Sequence, residues 1–499
     1  MVVIASGADL ESGNPLVTVH PLARQVQRFA LFVTLVRYDS ALRAMPYFAR
    51  AWTWSADRRS VTLALEPSLD WHDGTPTTAR DVAFTLDAAR DPVTGSPRAA
   101  DLVWLQSTVV HNDTSITLLS HRPLAELPSI LCELPIVPAA RLSAVPRADF
   151  RRHAFATQPL GNGPFRFVER RAGERWVFER VASFPASMGG SPRIRRLVVA
   201  VVDEPTTKFA GLVSGDLDLA GISPVMAPLV QRDPTLEVLS YPVSFVSALV
   251  FNASRPPFDD VRVRRAVSAA IDRARIVKVA LAGYATAATG AVSAEHPLAD
   301  TAVAHPAALD PAVLLDSAGW HAGADGRRAR DGTALHFTLL TVGSGDNALE
   351  QLLQADMRRV GISMDIRQME FGAFLVQARA LPKTFDALVT GIPGDLSLSH
   401  LAGMFDSQQR GGALDYAGFH EPTLDMLFRA AREAVTPNEQ RTSWIGVQQR
   451  LAELAPVAWL YHARGVQGVS RRLTGVRMDL RGELATLAEW RVAPPSASR

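Results

Sequence analysis

Residues 195–220 pack a strand, a helix and a second strand into one short stretch, which restricts the chain to α/β architectures. Leu197 to Val202 is an unbroken apolar run, the pattern of a strand buried on both faces. Pro205 opens a helix running to Val213, where its missing N–H costs nothing. Gly215 closes that helix, and Leu217-Asp218-Leu219 begins the next strand. The same alternation recurs along the chain. Val61, Leu63 and Leu65 give Ser60 to Glu66 strand periodicity. Thr78 and Asp81 form a capping box for a helix that ends before Pro92. Ser107–Val110 and Ser115–Leu119 flank the Asn112-Asp113 turn as a hairpin. Further on, the pattern predicts one long helix from Val261 to Ala282 closed by Gly283, and a strand from Leu335 to Thr341. A helix presenting Leu349, Leu352, Leu353 and Met357 then stops at Gly361, before strands at Ile362–Met369 and Phe385–Thr390. Thr436-Pro437-Asn438-Glu439 is a second capping box, opening a helix with Trp444, Val447, Leu451 and Leu454 at core spacing.

A chain of 499 residues implies about three folding units. Hydrophobic residues make up 47% and charged residues 20%, so disorder is excluded as the general state. The net charge of +2 provides no basic field for a phosphate backbone, and no nucleic-acid partner is expected. The basic residues are nearly all arginine, the three lysines being Lys208, Lys278 and Lys383. Their scatter reads as background composition rather than an anion-binding surface. A single cysteine, Cys132, permits no intrachain disulfide and reads as a small buried hydrophobe. No run approaches the ~18 apolar residues of a membrane helix. Met1 to Gly13 lacks the basic start and apolar stretch of a secretory leader, which leaves a cytoplasmic chain or a trimmed exported one. Low-complexity sequence is confined to Ala299–Ala308 and Pro494–Arg499.

Catalytic spacing is absent. Gly211-Leu212-Val213-Ser214-Gly215 does not have the spacing of a nucleophile elbow, and no H-E-x-x-H or Walker A lysine occurs. Gly161-Asn162-Gly163 is followed by Pro164, which bars a nucleotide-cradling helix start. His72-Asp73 is the one tempting acid/base pair, and Asp73-Gly74 also reads as a plain turn. The remaining histidines, His305 among them, show no ligand spacing, so neither a metal nor a cofactor is expected.

Five segments in order carry a resemblance. They are Ala49-Arg50-Ala51-Trp52 with Trp71-His72-Asp73-Gly74-Thr75-Pro76 through Phe84; Pro159-Leu160-Gly161-Asn162-Gly163-Pro164-Phe165; Thr206-Thr207-Lys208 with Ser214-Gly215-Asp216-Leu217-Asp218; Phe251-Asn252 with Pro256 to Ala266 and Ile271-Asp272-Arg273; and Leu353 to Met357 with Val360-Gly361-Ile362. Together they resemble the extracytoplasmic solute-binding proteins of the peptide/nickel family, which serve ABC importers. The resemblance implies an α/β, two-lobed periplasmic-binding-protein fold of class II type, with an extra subdomain and the ligand cleft between the lobes. It implies a large lobe at 1–245, with the subdomain at about 42–157, completed by 466–499. The second lobe would be 246–465, with hinge crossings at about 241–252 and 459–470.

By the same resemblance, Asp395 in Gly391-Ile392-Pro393-Gly394-Asp395-Leu396 matches the acidic residue that pairs a peptide's ammonium group. A helix cap for Ser397–Met404 is the other reading of Asp395. The segment Leu340 to Gly345 carries no arginine where the family clamps a dipeptide carboxylate. A larger or less charged ligand, or another arginine, is therefore indicated. Trp104, Tyr241, Phe245, Phe405, Tyr416, Trp459 and Tyr461 fall near the implied cleft, each also readable as core, and His20 lies in a segment that lines it in relatives. The expected function is that of a monomeric, periplasmic or otherwise extracytoplasmic binding component, its leader removed. It would capture a peptide-like or other mid-sized polar solute between closing lobes and deliver it to permease subunits. The alternatives are a hydrolase or metal-dependent enzyme using His72 and Asp73 or a site assembled in space, and a sensing receptor without transport.

Overall fold

A computed structural model describes residues 1–303, 308–343 and 347–493. His305 with the centre of the alanine-rich stretch, Ser344 and Gly345 of the segment without a clamp arginine, and the Pro494–Arg499 tail lie outside the described residues. The chain divides into two compact units. Unit 1 is Met1–Tyr241 with Gly465–Arg499, and unit 2 is Pro242–Arg464.

In unit 1 the strand–helix–strand segment folds around the N-terminus. Strand Val2–Ser6 inserts between Arg196–Val201 and Leu219–Gly221, parallel to both, with Ile4 opposite Val199 and Leu219. Strands Arg175–Arg180 and Phe165–Arg171 extend the sheet antiparallel on one side. On the other side, Gln467 to Val469 pair with Gly221 to Leu219, so the returning end of the chain completes the sheet. Asp218, fully buried, accepts from the Val3 amide at 2.9 Å and from Arg472 Nη2 at 2.9 Å. This aspartate ties three distant segments together, which gives the Ser214–Asp218 motif a structural role. The connecting helix Pro205–Ser214 is capped by Glu204 and closed by Gly215 at φ +80°.

A second sheet in unit 1 runs in the order Ala49–Trp54, Ser60–Leu65, Ser115–Ser120, Leu105–Asn112, with every pair antiparallel. Helix Ala79–Arg90 begins on the expected capping box. Asp81, itself buried, accepts from the Thr78 amide at 2.8 Å and with its other oxygen from the Ala139 amide at 2.8 Å. The cap thus also anchors the segment that follows.

Unit 2 contains strands Ser363–Met369, His336–Val342 and Ala387–Pro393 in that order, with the Phe245–Phe251 half of a long strand antiparallel to the last. Period-two burial shows why this sheet is covered on both faces. Val246, Ala248 and Val250 enter one core, with Leu388, Ile392, Phe405 and Trp444. Leu249 and Phe251 enter the other, with Ala387, Val389, Phe258 and Phe337. Each such aliphatic or aromatic side chain is worth on the order of 2 kcal/mol of burial.

One expected helix is two. Val261–Ala270 ends at Ile271, whose backbone is extended, and Arg273–Ala280 starts on Asp272, which accepts from the Arg275 amide at 2.9 Å. The break lets Arg273 turn inward, where its guanidinium donates to the Ser268 carbonyl at 2.8 Å and the Trp459 carbonyl at 2.7 Å. A continuous helix would leave those buried carbonyls without these donors.

Candidate functional site

The Pro159–Phe165 motif explains how unit 1 builds a concave surface. Gly161 and Gly163 pack directly on the backbone of residues 30–32. Asn162, buried between them, accepts from the Val33 amide at 3.0 Å. This clamp holds a segment in which helix Pro21–Val26 widens into a π turn at Gln27–Leu31, closed by the Phe32 amide on the Gln27 carbonyl at 2.9 Å. The π turn places Arg28 and Phe29 side by side, with the guanidinium 4.3 Å from the ring centroid.

Arg28 and Phe29 form part of the wall of a cavity of about 1060 Å³ lying wholly within unit 1. Tyr38, Tyr47, Phe184 and Tyr241 supply aromatic wall, and residues 476–479, 481 and 484–489 close the far side. The volume is at the upper end of what small-molecule sites use. Of the carboxylates on the wall, Asp479 is held by Arg481 at 2.7 Å, Glu489 by Arg477, and Asp39 by Arg43 at 2.8 Å. Arg28 and Arg37 also face the cavity, and among the described residues neither forms an ion pair. Spacing gave no hint of them, because Arg28 merely heads the apolar run Phe29–Val36.

Beside the cavity, Tyr241 donates to Glu483 at 3.4 Å, and Gln467 Nε2 donates to the same carboxylate at 2.5 Å. Burial pushes the Glu483 carboxyl up to about 7. The folded chain therefore holds a proton that the unfolded chain releases from about pH 4.5 upward. Stability from this group is present below that pH and lost as pH rises through 7. His72 acts in the opposite sense. Burial pushes it down to about 4, so its contribution is present above about pH 6.5 and lost as pH falls through 4. Glu483→Gln is expected to stabilise the protein at pH 8 by up to about 3 kcal/mol and to change little at pH 4.5. Denaturant midpoints at the two pH values read this out, and an equal shift at both would disprove the buried proton.

His20 caps helix Pro21–Val26, its Nδ1 accepting from the Ala23 amide at 3.2 Å. Trp104 is buried in the core of unit 1 and does not line the cavity. In unit 2, Phe405, Tyr416 and Trp459 come together in one hydrophobic core, so all three are packing residues. Tyr461 is half-buried and hydrogen-bonds Ser247. Phe245 is 38% exposed and lies flat over Gly391, where a Cβ would come within 2.0 Å of its ring.

Asp395 organises its own turn. Its carboxylate accepts from the Ser397 amide at 2.8 Å, the Ser399 amide at 3.0 Å, the Ser399 hydroxyl at 2.8 Å and the His400 amide at 3.0 Å. The side chain stays 28% exposed. Burial alone would raise its pKa, but His400 and the two serine hydroxyls hold it well below the usual carboxylate range. The helix begins later than the sequence suggested, at Ser399 with Leu398 in the N-cap position, and Asp395 reaches its first amides, Ser399 and His400, from the preceding turn.

His72 and Asp73 do not assemble a dyad. The His72 ring is bonded to the Gly163 carbonyl at 2.9 Å, while Asp73 accepts from the Thr75 amide at 3.1 Å and pairs with Arg141 at 2.9 Å. Both belong to the turn that locks onto the Gly161–Gly163 clamp. Among the described residues no helix is long and apolar enough to cross a membrane.

The sequence profile of the bacterial extracellular solute-binding proteins, family 5 Middle, matches residues 43–410. The chain is 26% identical over 466 residues to protein XP55 of Streptomyces lividans, covering 91% of this chain and 83% of that one. It is 28% identical over 326 residues to a putative ABC transporter peptide-binding protein of Brucella ovis, an alignment spanning 64% of this chain and 60% of that protein. It is 24% identical over 448 residues to the oligopeptide-binding protein AppA of Bacillus subtilis, covering 86% and 80% of the two chains. The crystal structure of AppA in complex with a nonapeptide superposes with a TM-score of 0.77 at 21% identity, covering 99% of both chains.

The fold is that of a periplasmic binding protein, a class built to hold a solute rather than transform it. The chain belongs to the bacterial extracellular solute-binding proteins of family 5. It is the substrate-binding component of an ABC importer. Members of this family are extracytoplasmic, bind peptides or metal chelates, and work with ABC-transporter permeases.

Proposed function

We propose that the solute is peptide-like and carries a free ammonium group, and that Asp395 anchors it. The observation that carries this reading is a carboxylate kept ionised on a rigid turn while still partly exposed. The names of the relatives in Brucella and Bacillus, a peptide-binding and an oligopeptide-binding protein, support the same solute class. With the Ser397 hydroxyl included, five donors already meet the carboxylate, one more than its roughly four lone-pair sites. An ammonium therefore reaches it by displacing the Ser399 hydroxyl, which can rotate and offer its own lone pair instead. Of the aromatic residues that the sequence singled out in unit 2, Phe245 and Tyr461 retain exposed surface for the solute's apolar parts. The protein works in the periplasm or an equivalent extracytoplasmic space, as a monomer.

Thermal-shift and calorimetric screening of peptide mixtures against sugars, opines and metal chelates tests the solute class, because tight binding must raise the melting temperature. The anchor is tested with tripeptides bearing a free or an acetylated N-terminus. Wild type is expected to prefer the free form at least tenfold, as a charge-assisted bond is worth more than about 1.4 kcal/mol. Asp395→Asn, which keeps the shape of the turn, is expected to lose that preference. A variant that discriminates as well as wild type would remove Asp395 from the site.

A further inference from the structure

Asp395 shares its turn with a buried imidazole that meets it in two ways. His400 Nδ1 accepts from the Asp395 amide at 3.4 Å and lies 3.5 Å from the carboxylate Oδ2. The lone pair of a neutral ring serves the amide, whereas a proton on the same nitrogen makes the ring a cation facing the carboxylate. Ring and turn both lie wholly within unit 2. His296 braces the same turn. Its Nδ1 accepts from the Leu298 amide at 3.1 Å, so its Nε2 carries the hydrogen donated to the Leu396 carbonyl at 3.1 Å. Burial holds His296 below the ordinary histidine value and pushes His462, on strand Val457–Ser470, down to about 4. The other charged groups around these rings pair among themselves. Glu295 pairs with Arg464 at 3.0 Å, and at the far end of helix Ser399–Phe405 Arg432 pairs with Asp406 and His420 with Asp415.

We propose that His400 is a positioning residue that makes ammonium capture at Asp395 depend on pH: the neutral ring leaves the carboxylate's charge to the solute, and the protonated ring takes it. The proposal rests on the ammonium-anchor reading above and adds the regulation of that site. A cation 3.5 Å from Oδ2 repels an arriving ammonium and competes with it for one negative charge. By reciprocity, a bound ammonium drives the proton off His400. Solute is therefore held near neutral pH and released toward pH 5, the range in which imidazoles change charge. The neighbouring charges do not reverse this sign. Asp395 stays ionised throughout, His462 stays neutral above about pH 4, and an α-amino group only gains protons as the pH falls.

The test uses the full chain and two probes, a tripeptide pool without His, Asp or Glu bearing free N-termini, and the same pool N-acetylated. Wild-type affinity for the free pool is expected to fall at least about fivefold from pH 7 to pH 5, the lower end of typical couplings between sites, while affinity for the acetylated pool stays constant. Calorimetry of wild type at pH 6, in buffers of different ionisation enthalpy, should show proton release on binding the free pool and none with the acetylated pool. His400→Gln keeps an acceptor for the Asp395 amide but cannot take the proton, so its affinity for the free pool should be nearly the same at both pH values. An equal fall for both pools, an absence of fall and of proton release, or a His400→Gln variant that falls as wild type does would each overturn the switch while leaving the anchor in place. A free pool bound no better than the acetylated pool at pH 7 would overturn both.

Discussion

Gly161→Ala is expected to destabilise unit 1 severely. A Cβ at this position would sit 2.0 Å from the Leu31 carbonyl oxygen, 2.8 Å from Leu31 Cδ1 and 2.9 Å from His72 Cε1. None of these neighbours can yield cheaply. The Leu31 carbonyl already accepts from the Gly163 amide at 2.9 Å, and the His72 amide donates to the Gly161 carbonyl at 2.8 Å. Separating the two segments would break both bonds and pull the π turn away from its clamp. The cost exceeds about 4 kcal/mol, the range reserved for severe overpacking or loss of a buried network. That is a large share of the 5–15 kcal/mol that typically holds a domain together. Gly173→Ala is the matched control. Its φ of +71° is strained for alanine, but nothing lies within 4 Å, so a loss of about 1 kcal/mol is expected. Urea unfolding followed by circular dichroism separates the two, and a Gly161→Ala protein within 1 kcal/mol of wild type would refute the clamp.

The second large effect belongs to unit 2. Arg264→Met is expected to cost about 3–5 kcal/mol. The guanidinium is 3% exposed and donates to the Phe258 carbonyl at 2.6 Å, the Leu454 carbonyl at 2.7 Å and the Ala455 carbonyl at 3.2 Å. Leu454 and Ala455 end helix Pro437–Leu454, whose last carbonyls have no partner within the helix. A cation there satisfies them and complements the negative end of the helix dipole. Burial pushes Arg264 down to about 10, so it stays charged at neutral pH. Methionine fills similar volume but strands three buried acceptors. Arg264→Lys is expected to recover only part of the loss, since an ammonium cannot span the three carbonyls as a planar fork does. The two units are not bound to melt together, so unit 2 is best followed by its own tryptophans, Trp320, Trp444 and Trp459. A methionine variant as stable as wild type would show that these carbonyls find other donors.

These two effects also mark where sequence reasoning stopped. The glycines of Pro159–Phe165 and the arginines of Val261–Arg273 were visible as motifs, and the motifs pointed to the family. Their physical work was not visible, because each acts on a segment far away in the chain. Gly161 meets residue 31, and Arg264 meets residue 454. The expected single helix over Val261–Ala282 failed for the same reason. Its hydrophobic spacing is continuous, but Arg273 is drawn inward by the Trp459 carbonyl, 186 residues away.

By itself the sequence determined the elements whose causes are local. The capping boxes at Thr78–Asp81 and Thr436–Glu439, the hairpin around Asn112-Asp113, the Gly215 helix stop and the α/β alternation all depend on neighbours a few residues apart. Only the tertiary structure decided which charges are free and which are used. The partners of Arg28, Tyr241 and Asp218 lie 453, 242 and 254 residues away. Desolvation and pairing depend on which segments meet, and spacing along the chain does not encode that. Forty-nine arginines read as background composition because sequence cannot tell a paired guanidinium from an unpaired one. The fold pairs Arg477 and Arg481 on the cavity wall with Glu489 and Asp479, while Arg28 and Arg37 beside them form no ion pair among the described residues.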